Sequence, residues 1–493
     1  MLLKDATDWA EALRNKKISF GELIQQIKKT IDAQNPLLNA VVAIDYAQAQ
    51  QEYEAQLATG KLADSLFAGV PIPLKILGQS KAGWADTNGS RLFADAIATS
   101  SNHFVEKMEG LGLIPLGQTN APEFGFKNIA DPVLFGDTRN PWDATRYPGG
   151  SSGGAAAAVA SGMFPLAAAS DGGGSIRIPA SFSGLIGLKP TRGTMPVGPD
   201  GWRGWQGASI NFALTVSMRD TAAFFYGMRG TEHSAPYQAP KPEWTHTANN
   251  RRLPSRPLKI AFTTQSPVGS LVSPEAVAAV QQAVARLTAA GHQVEEVAYP
   301  LDGEAIIRSY YRMNGAETAA MFANIQKGFG RKIAQEEVEL MTWAIWQYGE
   351  KISAASYVNS LAVWDQAAAA MATFHDKYDL FLTPTTGQPA PLIGQELVSA
   401  SMLQELSAMK ERTEAQGAEL IYRMFEKSLA LSPFTQLANL TGQPAISLPT
   451  HLTEEGLPLG IQLMADRGRE DLLFGIGELF ENEGAFILPS AWR

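Results

Sequence analysis

Two glycine-rich segments that contain serine are the parts of the sequence best suited to carry chemistry. The first reads Gly-Gly-Ser-Ser-Gly-Gly over 149–154, and the second reads Asp-Gly-Gly-Gly-Ser-Ile-Arg over 171–177. Glycine adopts backbone conformations that other residues avoid, so a run such as 172–175 can turn successive N–H groups toward one point. An oxyanion hole needs that arrangement. Such turns also occur in ordinary loops, so the two segments are candidates for a catalytic site.

Other motifs could explain the first segment. Neither a phosphate-binding GxxxxGK loop nor a dinucleotide-binding GxGxxG turn is present in this region. Residues 149–153 do match the GxSxG nucleophile elbow of α/β hydrolases, which would make Ser151 the nucleophile of an esterase. Such an enzyme needs a histidine, and His451 is the one that follows a predicted strand. The remaining histidines are His103, His233, His246, His292 and His375.

Composition narrows the chemistry further. The chain of 493 residues has no cysteine, which excludes thiolate nucleophiles, disulfides, thiolate zinc sites and iron–sulfur clusters. A formal net charge of -9 without a basic run argues against nucleic acid as a partner. Asp5 and Asp8 stand where a signal peptide would be positive, and the uncharged stretch 151–170 is too weakly apolar to span a membrane. We therefore expect a cytoplasmic globular enzyme.

Alternating helices and strands must position the two segments. Ser19 and Glu22 have capping-box spacing, and the apolar pattern after them predicts an amphipathic helix that ends at Asn35-Pro36. Residues 155–162 have the composition of a helix that begins at the first glycine-rich turn, and 256–300 are typical of a strand–helix–strand unit. Further strands are predicted at 380–383, 445–448 and 456–464, the last two as a hairpin. The pattern predicts an α/β fold.

The two glycine-rich segments and several other segments together resemble those of a known family. The chain is similar to the amidase signature enzymes over nearly its whole length. The matching segments are 69–75, 117–123, 140–142, 149–154, 171–180, 441–445 and 456–462. So many matches in the same order are not expected by chance.

The resemblance implies a fold and a division of the chain. We expect one amidase domain over 1–493, with a central mixed twisted sheet covered by helices. Within it, 1–60 is the N-terminal helical segment and 65–215 is the catalytic core. The proline-rich stretch 230–257 is a surface connection, and 258–493 supplies the rest of the sheet and the pocket helices.

The resemblance also implies a Ser-Ser-Lys triad. Ser175 would be the nucleophile, Ser151 the middle serine, held by a cis peptide bond, and Lys75 the base. A lysine acts as a base only when burial holds it neutral, and Lys75 does lie in an apolar run. An edge-strand lysine exposed to solvent is the alternative interpretation of this residue alone. The backbone N–H groups of Gly172, Gly173, Gly174 and Ser175 would form the oxyanion hole. Because the protein supplies all these groups, we expect neither a metal nor an organic cofactor.

The sequence departs from the family pattern at two positions near the triad. Ile76 stands where aspartate usually follows the lysine, and Gly172 stands where a bulkier residue is usual. Asp171 and Arg177 are expected to fix the loop by buried hydrogen bonds rather than to touch substrate. Ile178 replaces the glutamine typical of the A subunit of glutamyl-tRNA amidotransferase, and its apolar side chain suits an apolar acyl group.

Aromatic residues outside these motifs are the remaining substrate-binding candidates. Trp202 and Trp205 flank a glycine-rich loop, and Trp343 and Trp346 lie at helical spacing further along the chain. Aromatic residues at helical spacing more often belong to the core. The alternative interpretation is therefore that these four tryptophans pack in the hydrophobic core and do not contact substrate.

We expect an amidase that cleaves a carboxamide C–N bond through an acyl-enzyme. The overall sequence is most similar to bacterial amidases described as 6-aminohexanoate cyclic dimer hydrolases, so an aliphatic or cyclic amide such as a 6-aminohexanoate oligomer is a candidate substrate. The alternatives are a glutaminase subunit of glutamyl-tRNA amidotransferase and an esterase or carbamate hydrolase. The expected partner is a small-molecule amide, with neither nucleic acid nor membrane, and a homodimer is the expected assembly if the chain self-associates.

Overall fold

A computed structural model describes residues 4–239 and 253–493 of the chain, and its central element is a β-sheet of eight strands. A separate sheet has three strands. The strands are β1 Val41–Ile44, β2 Pro71–Lys75, β3 Ile114–Thr119, β4 Ala167–Asp171, β5 Ile186–Lys189, β6 Ile210–Thr215, β7 Lys259–Phe262, β8 Gln293–Glu296, β9 Leu380–Pro384, β10 Ala445–Leu452 and β11 Pro458–Ala465.

The described chain also contains helices, several of which pack against the two sheets. In chain order they are α1 Ala6–Arg14, α2 Phe20–Leu38, α3 Tyr46–Ala58, α4 His103–Gly110, α5 Gly153–Ala160, α6 Arg177–Ser183, α7 Met218–Met228, α8 Pro274–Ala289, α9 Gly303–Phe329, α10 Leu340–Gly349, α11 Ala354–Lys377, α12 Ala400–Ser407, α13 Glu414–Leu431, α14 Gln436–Thr441 and α15 Glu470–Asn482. In the described part of the chain, no helix combines the length and apolar character needed to cross a bilayer.

The large sheet is mixed, which confirms the predicted fold class. Its strand order is β4-β6-β5-β10-β11-β9-β7-β8. β7 pairs in parallel with β9 and β8, whereas the pairs from β4 to β9 are antiparallel. β9 and β11 are buried along their whole length, and α6, α8 and α15 all pack against β11.

Most predicted elements are present. Residues 256–300 form the parallel unit β7-α8-β8, and β10 and β11 pair as an antiparallel hairpin. The capping box of α2 is formed, but the helix runs through Pro36 to Leu38 instead of ending at Asn35-Pro36. A proline in the last turn removes only one backbone hydrogen bond. The Asn35 side chain also stabilises the exit from the helix by accepting hydrogen bonds from the backbone N–H groups of Ala40 and Val41.

The helix predicted at 155–162 is present as α5, which begins and ends two residues earlier, at Gly153–Ala160, and is followed by β4. All eight residues of α5 are buried, and each is glycine, alanine or valine. Such small side chains let α5 lie close to strands of both sheets, since it packs against β2 and β3 as well as β4 and β6. The first glycine-rich turn is therefore held between the two sheets.

The predicted surface connection 230–257 is only partly described. Residues 240–252, which include His246, lie outside the described residues. Residues 230–239 have no helix or strand and are exposed or half-buried.

Candidate active site

Lys75 ends β2 and has no exposed surface. β2 is an edge strand of the small sheet, but it also packs against β4 of the large sheet. The lysine side chain therefore enters the space between the sheets, where Nζ donates hydrogen bonds to Ser151 Oγ at 2.7 Å and to Ser170 Oγ at 2.9 Å. The alternative of a solvent-exposed lysine is wrong.

The surroundings of Lys75 favour its neutral form. Complete burial lowers the pKa of Lys75 to about 7, and the negative charge of Asp171 offsets only part of that effect. Both hydrogen-bond partners of Nζ are hydroxyl groups, which can donate to a neutral amine as well as accept from an ammonium. Near neutral pH, Lys75 therefore has a lone pair that can accept the Ser151 proton.

The two serines of the first turn have different surroundings. The peptide bond Gly150–Ser151 is cis, as the resemblance implied. A Cβ at position 150 would lie within 2.7 Å of backbone atoms of Ile129, so only glycine fits. Ser152 Oγ instead donates to the backbone oxygen of Ser170 at 3.2 Å. Ser151 thus faces Lys75, whereas Ser152 is hydrogen-bonded to β4.

Asp171 and Arg177 hold the second turn through a fully buried ion pair. Arg177 Nε and Nη2 donate to the Asp171 carboxylate at 2.9 and 3.0 Å. Burial opposes ionisation of Asp171, but the Arg177 guanidinium overcomes it and holds the pKa of Asp171 at about 2. The same carboxylate accepts hydrogen bonds from the backbone N–H groups of Gly174 at 2.7 Å and Ile176 at 3.2 Å. The geometry agrees with the loop-fixing role expected for this pair.

The second turn presents backbone donors around Ser175. The Gly174 N–H is committed to Asp171. Within residues 4–239 and 253–493, the N–H groups of Gly172, Gly173 and Ser175 donate no hydrogen bond. Ser175 Oγ likewise makes none in those ranges, so no hydrogen bond joins it to Ser151. Three of the four predicted oxyanion donors thus have no acceptor within these ranges, whereas the fourth is already bonded to Asp171.

Replacing Asp171 with asparagine is expected to lower the free energy of unfolding by about 3 kcal/mol, because it leaves the Arg177 charge buried without a counter-ion. It should also lower kcat, because the turn loses an anchor for the Gly174 and Ile176 N–H groups. Urea denaturation and steady-state kinetics measure the two effects. The matched control is Asp376→Asn on the exposed surface of α11, which should change neither quantity. Equal unfolding free energies for the two variants would contradict the anchoring role.

A cavity of about 470 Å³, here called the large chamber, lies over Ser151 and Ser175. Its wall is mainly apolar. The apolar side chains are Leu77, Phe93, Phe104, Phe124, Met195, Pro196, Val197, Trp205, Ile210, Met321 and Ile325. A chamber of this size and character suits an organic substrate with an aliphatic or aromatic group.

Trp205 explains the glycine at position 172. A Cβ on Gly172 would lie 2.8 Å from two ring carbons of Trp205, so the indole occupies the space that a bulkier residue would need. The ring stacks on Phe126 with centroids 6.1 Å apart and meets Tyr310 edge-on at 6.1 Å. Trp205 is therefore a rigid part of the wall, and Gly172→Ala would displace it.

A second cavity of about 60 Å³, here called the small chamber, also reaches Ser175. Gly173, Ile178, Trp205 and Tyr310 contribute to its wall. Ser175, Trp205 and Gly125 line both chambers, whereas Ser151 lines the large chamber and not the small one. The candidate nucleophile thus lies where two differently shaped spaces meet.

The structure separates the candidate substrate-binding residues. Ile178 lines the small chamber and Trp205 lines both. Trp202 lines neither and instead borders a third, smaller cavity. Trp343 and Trp346 also line neither, because Trp346 stacks on Phe322 at 4.3 Å and Trp343 packs against Trp346. The expectation that Trp202, Trp343 and Trp346 line the pocket at Ser175 is wrong, and the alternative that Trp343 and Trp346 belong to the core is the observed one.

The histidine required by the esterase interpretation is not at the site. None of the five described histidines lines either chamber at Ser175. His451 lies in β10, where Nε2 is 2.6 Å from Glu275 Oε2 and Nδ1 is 3.2 Å from Gln282 Oε1. Ser151 is instead paired with a lysine, so the GxSxG match does not produce a nucleophile elbow with a histidine base.

Two residues that were not predicted from the sequence contact the candidate catalytic residues. Ser170 is the second partner of Lys75 Nζ, and its position directly before Asp171 in the motif could have indicated it. Thr435 Oγ1 donates to the backbone oxygen of Gly173 at 2.6 Å. No local pattern points to Thr435, since it follows α13 and meets the turn only in the folded chain.

The chain matches known proteins along almost its whole length. A sequence model of the amidase family matches residues 22–474. A lipoamidase of Enterococcus faecalis is 38% identical over 492 residues, covering 98% of this chain and 64% of the lipoamidase. The chain therefore spans less than two thirds of that relative's own length. A 6-aminohexanoate-cyclic-dimer hydrolase of Paenarthrobacter ureafaciens is 32% identical over 488 residues, covering 97% of this chain and 94% of the relative.

The fold comparison agrees with the sequence comparison. A solved structure of a 6-aminohexanoate cyclic dimer hydrolase complexed with substrate matches this structure with a TM-score of 0.88 at 32% identity. The match covers 100% of both chains.

Proposed function

The chain belongs to the amidase family, and from that premise we propose that it is a serine amidase in which Ser175 attacks an amide carbonyl carbon and Lys75, acting through Ser151, is the base. One observation carries the proposal. The fully buried Lys75 has its Nζ 2.7 Å from Ser151 Oγ, and Ser151 and Ser175 line one chamber. This arrangement gives a neutral amine a path to the nucleophile.

In the acylation step, Ser175 Oγ forms a bond to the carbonyl carbon while its proton passes to Ser151 Oγ and the Ser151 proton passes to Lys75 Nζ. The carbonyl oxygen becomes an oxyanion. Free N–H groups of Gly172, Gly173 and Ser175 are available to stabilise that charge. The proposed transfer requires a hydrogen bond between Ser175 Oγ and Ser151 Oγ, which a rotation of either side chain would have to form when substrate binds.

The same groups then work in reverse. Lys75 returns its proton through Ser151 to the amide nitrogen, the C–N bond breaks and the amine leaves. Water then attacks the ester carbon of acylated Ser175 while one of its protons passes to Lys75. The C–O bond to Ser175 breaks, Lys75 returns that proton through Ser151 to Ser175 Oγ, and the carboxylic acid is released. The original Ser175 proton has thus left with the amine, a proton from water has replaced it, and the enzyme is back in its starting state.

The large chamber supports an aliphatic or cyclic amide as the substrate class. Burying one substrate methylene against this apolar wall contributes about 0.8 kcal/mol to binding, so amides with long apolar groups should be preferred over short ones. A 6-aminohexanoate oligomer, linear or cyclic, is our candidate, and lipoamide is a second candidate suggested by the lipoamidase relative.

A panel of amides tests this proposal. The panel contains the linear and cyclic 6-aminohexanoate dimers, lipoamide, acetamide and glutamine, with release of amine or ammonia as the readout and the Ser175→Ala variant as the blank. We expect kcat/KM for at least one long amide to exceed that for acetamide and glutamine at least about tenfold, which two buried methylenes would supply. Glutamine as the best substrate would favour the glutaminase alternative. Turnover of an added ester or carbamate without any amide hydrolysis would overturn the proposal.

A further inference from the structure

Three side-chain amide oxygens in the wall of the small chamber accept no hydrogen bond in the described residues. Asn128 Oδ1, Asn314 Oδ1 and Gln436 Oε1 are buried, and none has a hydrogen-bond partner in residues 4–239 and 253–493. All three residues line the small chamber. Asn314 and Gln436 are only 7% and 8% exposed. Buried polar atoms are nearly always paired, so three such oxygens around one cavity call for an explanation.

The orientation of two of these amides is fixed by their other ends. Asn128 Nδ2 donates to the backbone oxygen of Ser428 at 2.8 Å and to Ser432 Oγ at 3.0 Å. Gln436 Nε2 donates to the backbone oxygen of Ser432 at 3.1 Å. A backbone oxygen can only accept, so flipping either amide would place two acceptors together. The oxygens therefore stay turned away from these contacts and available to a donor.

The surrounding charge also favours a donor. Asn128 and Gln436 contact the C-terminal end of α13, where unpaired carbonyl groups carry partial negative charge. Lys127, a cation in the chamber wall, is held by Asp131 at 2.8 Å and Glu339 at 2.6 Å. Two carboxylates thus compensate its charge, and the chamber does not attract an anion.

The position of Ser151 indicates which part of the substrate reaches this chamber. In the proposed reaction, the leaving nitrogen receives its proton from Ser151, which lines the large chamber and not the small one. The amine part must therefore lie on the large-chamber side. The acyl part, on the other side of the same carbon, is directed toward Ile178 and the three amide oxygens.

We infer that the small chamber is a subsite for an N–H donor, either an ammonium or an amide N–H, carried on the acyl part of the substrate. Asn128, Asn314 and Gln436 accept the hydrogen bonds, and Ile178 contacts the apolar stem. This inference rests on the proposed amidase function. It makes these residues determinants of which acyl groups are accepted.

Acyl p-nitroanilides of matched length test the inference. The series ends in an ammonium (3-aminopropanoyl, 4-aminobutanoyl and 6-aminohexanoyl), in the corresponding N-acetylated amine, or in a methyl group (butanoyl, pentanoyl and heptanoyl). The quantity measured is the donor preference, the ratio of kcat/KM for a donor-bearing anilide to that for its methyl-ended counterpart. At one length or more, we expect a preference of about tenfold or greater, since the methyl group leaves the acceptors unpaired. Comparing the donor preference of the ammonium-ended anilides with that of the N-acetylated anilides identifies which donor is bound.

Variants locate the preference. Asn314→Leu and Gln436→Leu should each reduce the donor preference toward one, whereas the control Asn324→Leu, exposed on the same helix α9, should retain it. Asn314→Asp keeps an acceptor and adds negative charge, so it should raise the ammonium preference even if a leucine variant folds poorly. Hydrolysis of all anilides with a wild-type preference near one would mean that the chamber holds only water, and it would overturn this inference while leaving the amidase proposal intact. A preference unchanged in all three subsite variants would also overturn it. Failure to hydrolyse any amide would instead count against the proposed function.

Discussion

Replacing Lys75 with methionine is expected to lower kcat by about a thousandfold or more. Methionine fills a similar volume, so the buried space between the two sheets stays occupied while the amine is lost. A general base contributes roughly a hundred- to ten-thousandfold, and a base and nucleophile that act as a unit lose their effect together. Steady-state kinetics on the best amide of the panel measure the change, and Lys75→Ala should be at least as damaging. A soluble, folded variant with more than about a tenth of the wild-type kcat would show that Lys75 is not the base.

The two adjacent serines provide a matched control for the relay. Ser151→Ala should be nearly as damaging as loss of Lys75, because Ser151 Oγ is the group that contacts Nζ. Ser152→Ala should lower kcat less than about tenfold, because the Ser152 hydroxyl is hydrogen-bonded to the backbone of Ser170 and not to the lysine. Equal losses of kcat in the two variants would contradict a relay through Ser151.

Replacing Ser175 with alanine is expected to lower kcat by about ten-thousandfold or more. Without Oγ, no acyl-enzyme can form, and the remaining groups can only orient the amide and stabilise an oxyanion. The substitution removes one hydroxyl that makes no hydrogen bond within the described ranges, so the free energy of unfolding should change little. Kinetics and urea denaturation on the same preparation separate loss of chemistry from loss of folding. Retention of substantial activity by the folded variant would mean that another residue is the nucleophile.

Local patterns predicted the regular parts of the fold well. The capping residues Ser19 and Glu22, the strand–helix–strand unit at 256–300 and the hairpin of β10 and β11 depend on residues close together in sequence, and each is present. The predicted end of α2 at Asn35-Pro36 was too early. The hydrogen bonds that stabilise the longer helix join Asn35 to Ala40 and Val41, which lie beyond the helix. The triad positions came from the family resemblance, since no periodicity connects Lys75 with Ser151.

The shape of the site depends on contacts that no local pattern encodes. The small sheet was not predicted, yet packing of β2 against β4 is what buries Lys75. Trp205 was expected in the pocket, but its stacking over Gly172 depends on Phe126 and Tyr310 from other segments. The small chamber is assembled from α9, α13, α14 and the loop at 125–128. Trp343 and Trp346 were candidates for the pocket wall but pack with Phe322 instead. Their helical spacing in the sequence is compatible with either location.

The most direct test of the proposed triad is the pH dependence of labelling by a fluorophosphonate, with the adduct located by peptide mass spectrometry. We expect one adduct, on Ser175. The labelling rate should rise about tenfold per pH unit at low pH and level off above about pH 7, because burial lowers the pKa of Lys75 to about 7 and only the neutral amine can accept the proton. In Lys75→Met, the rate should be low and lack this rise. An adduct on Ser151 or Ser152 would contradict the proposed triad. So would a wild-type pH profile that is retained in Lys75→Met and lost on replacing His451.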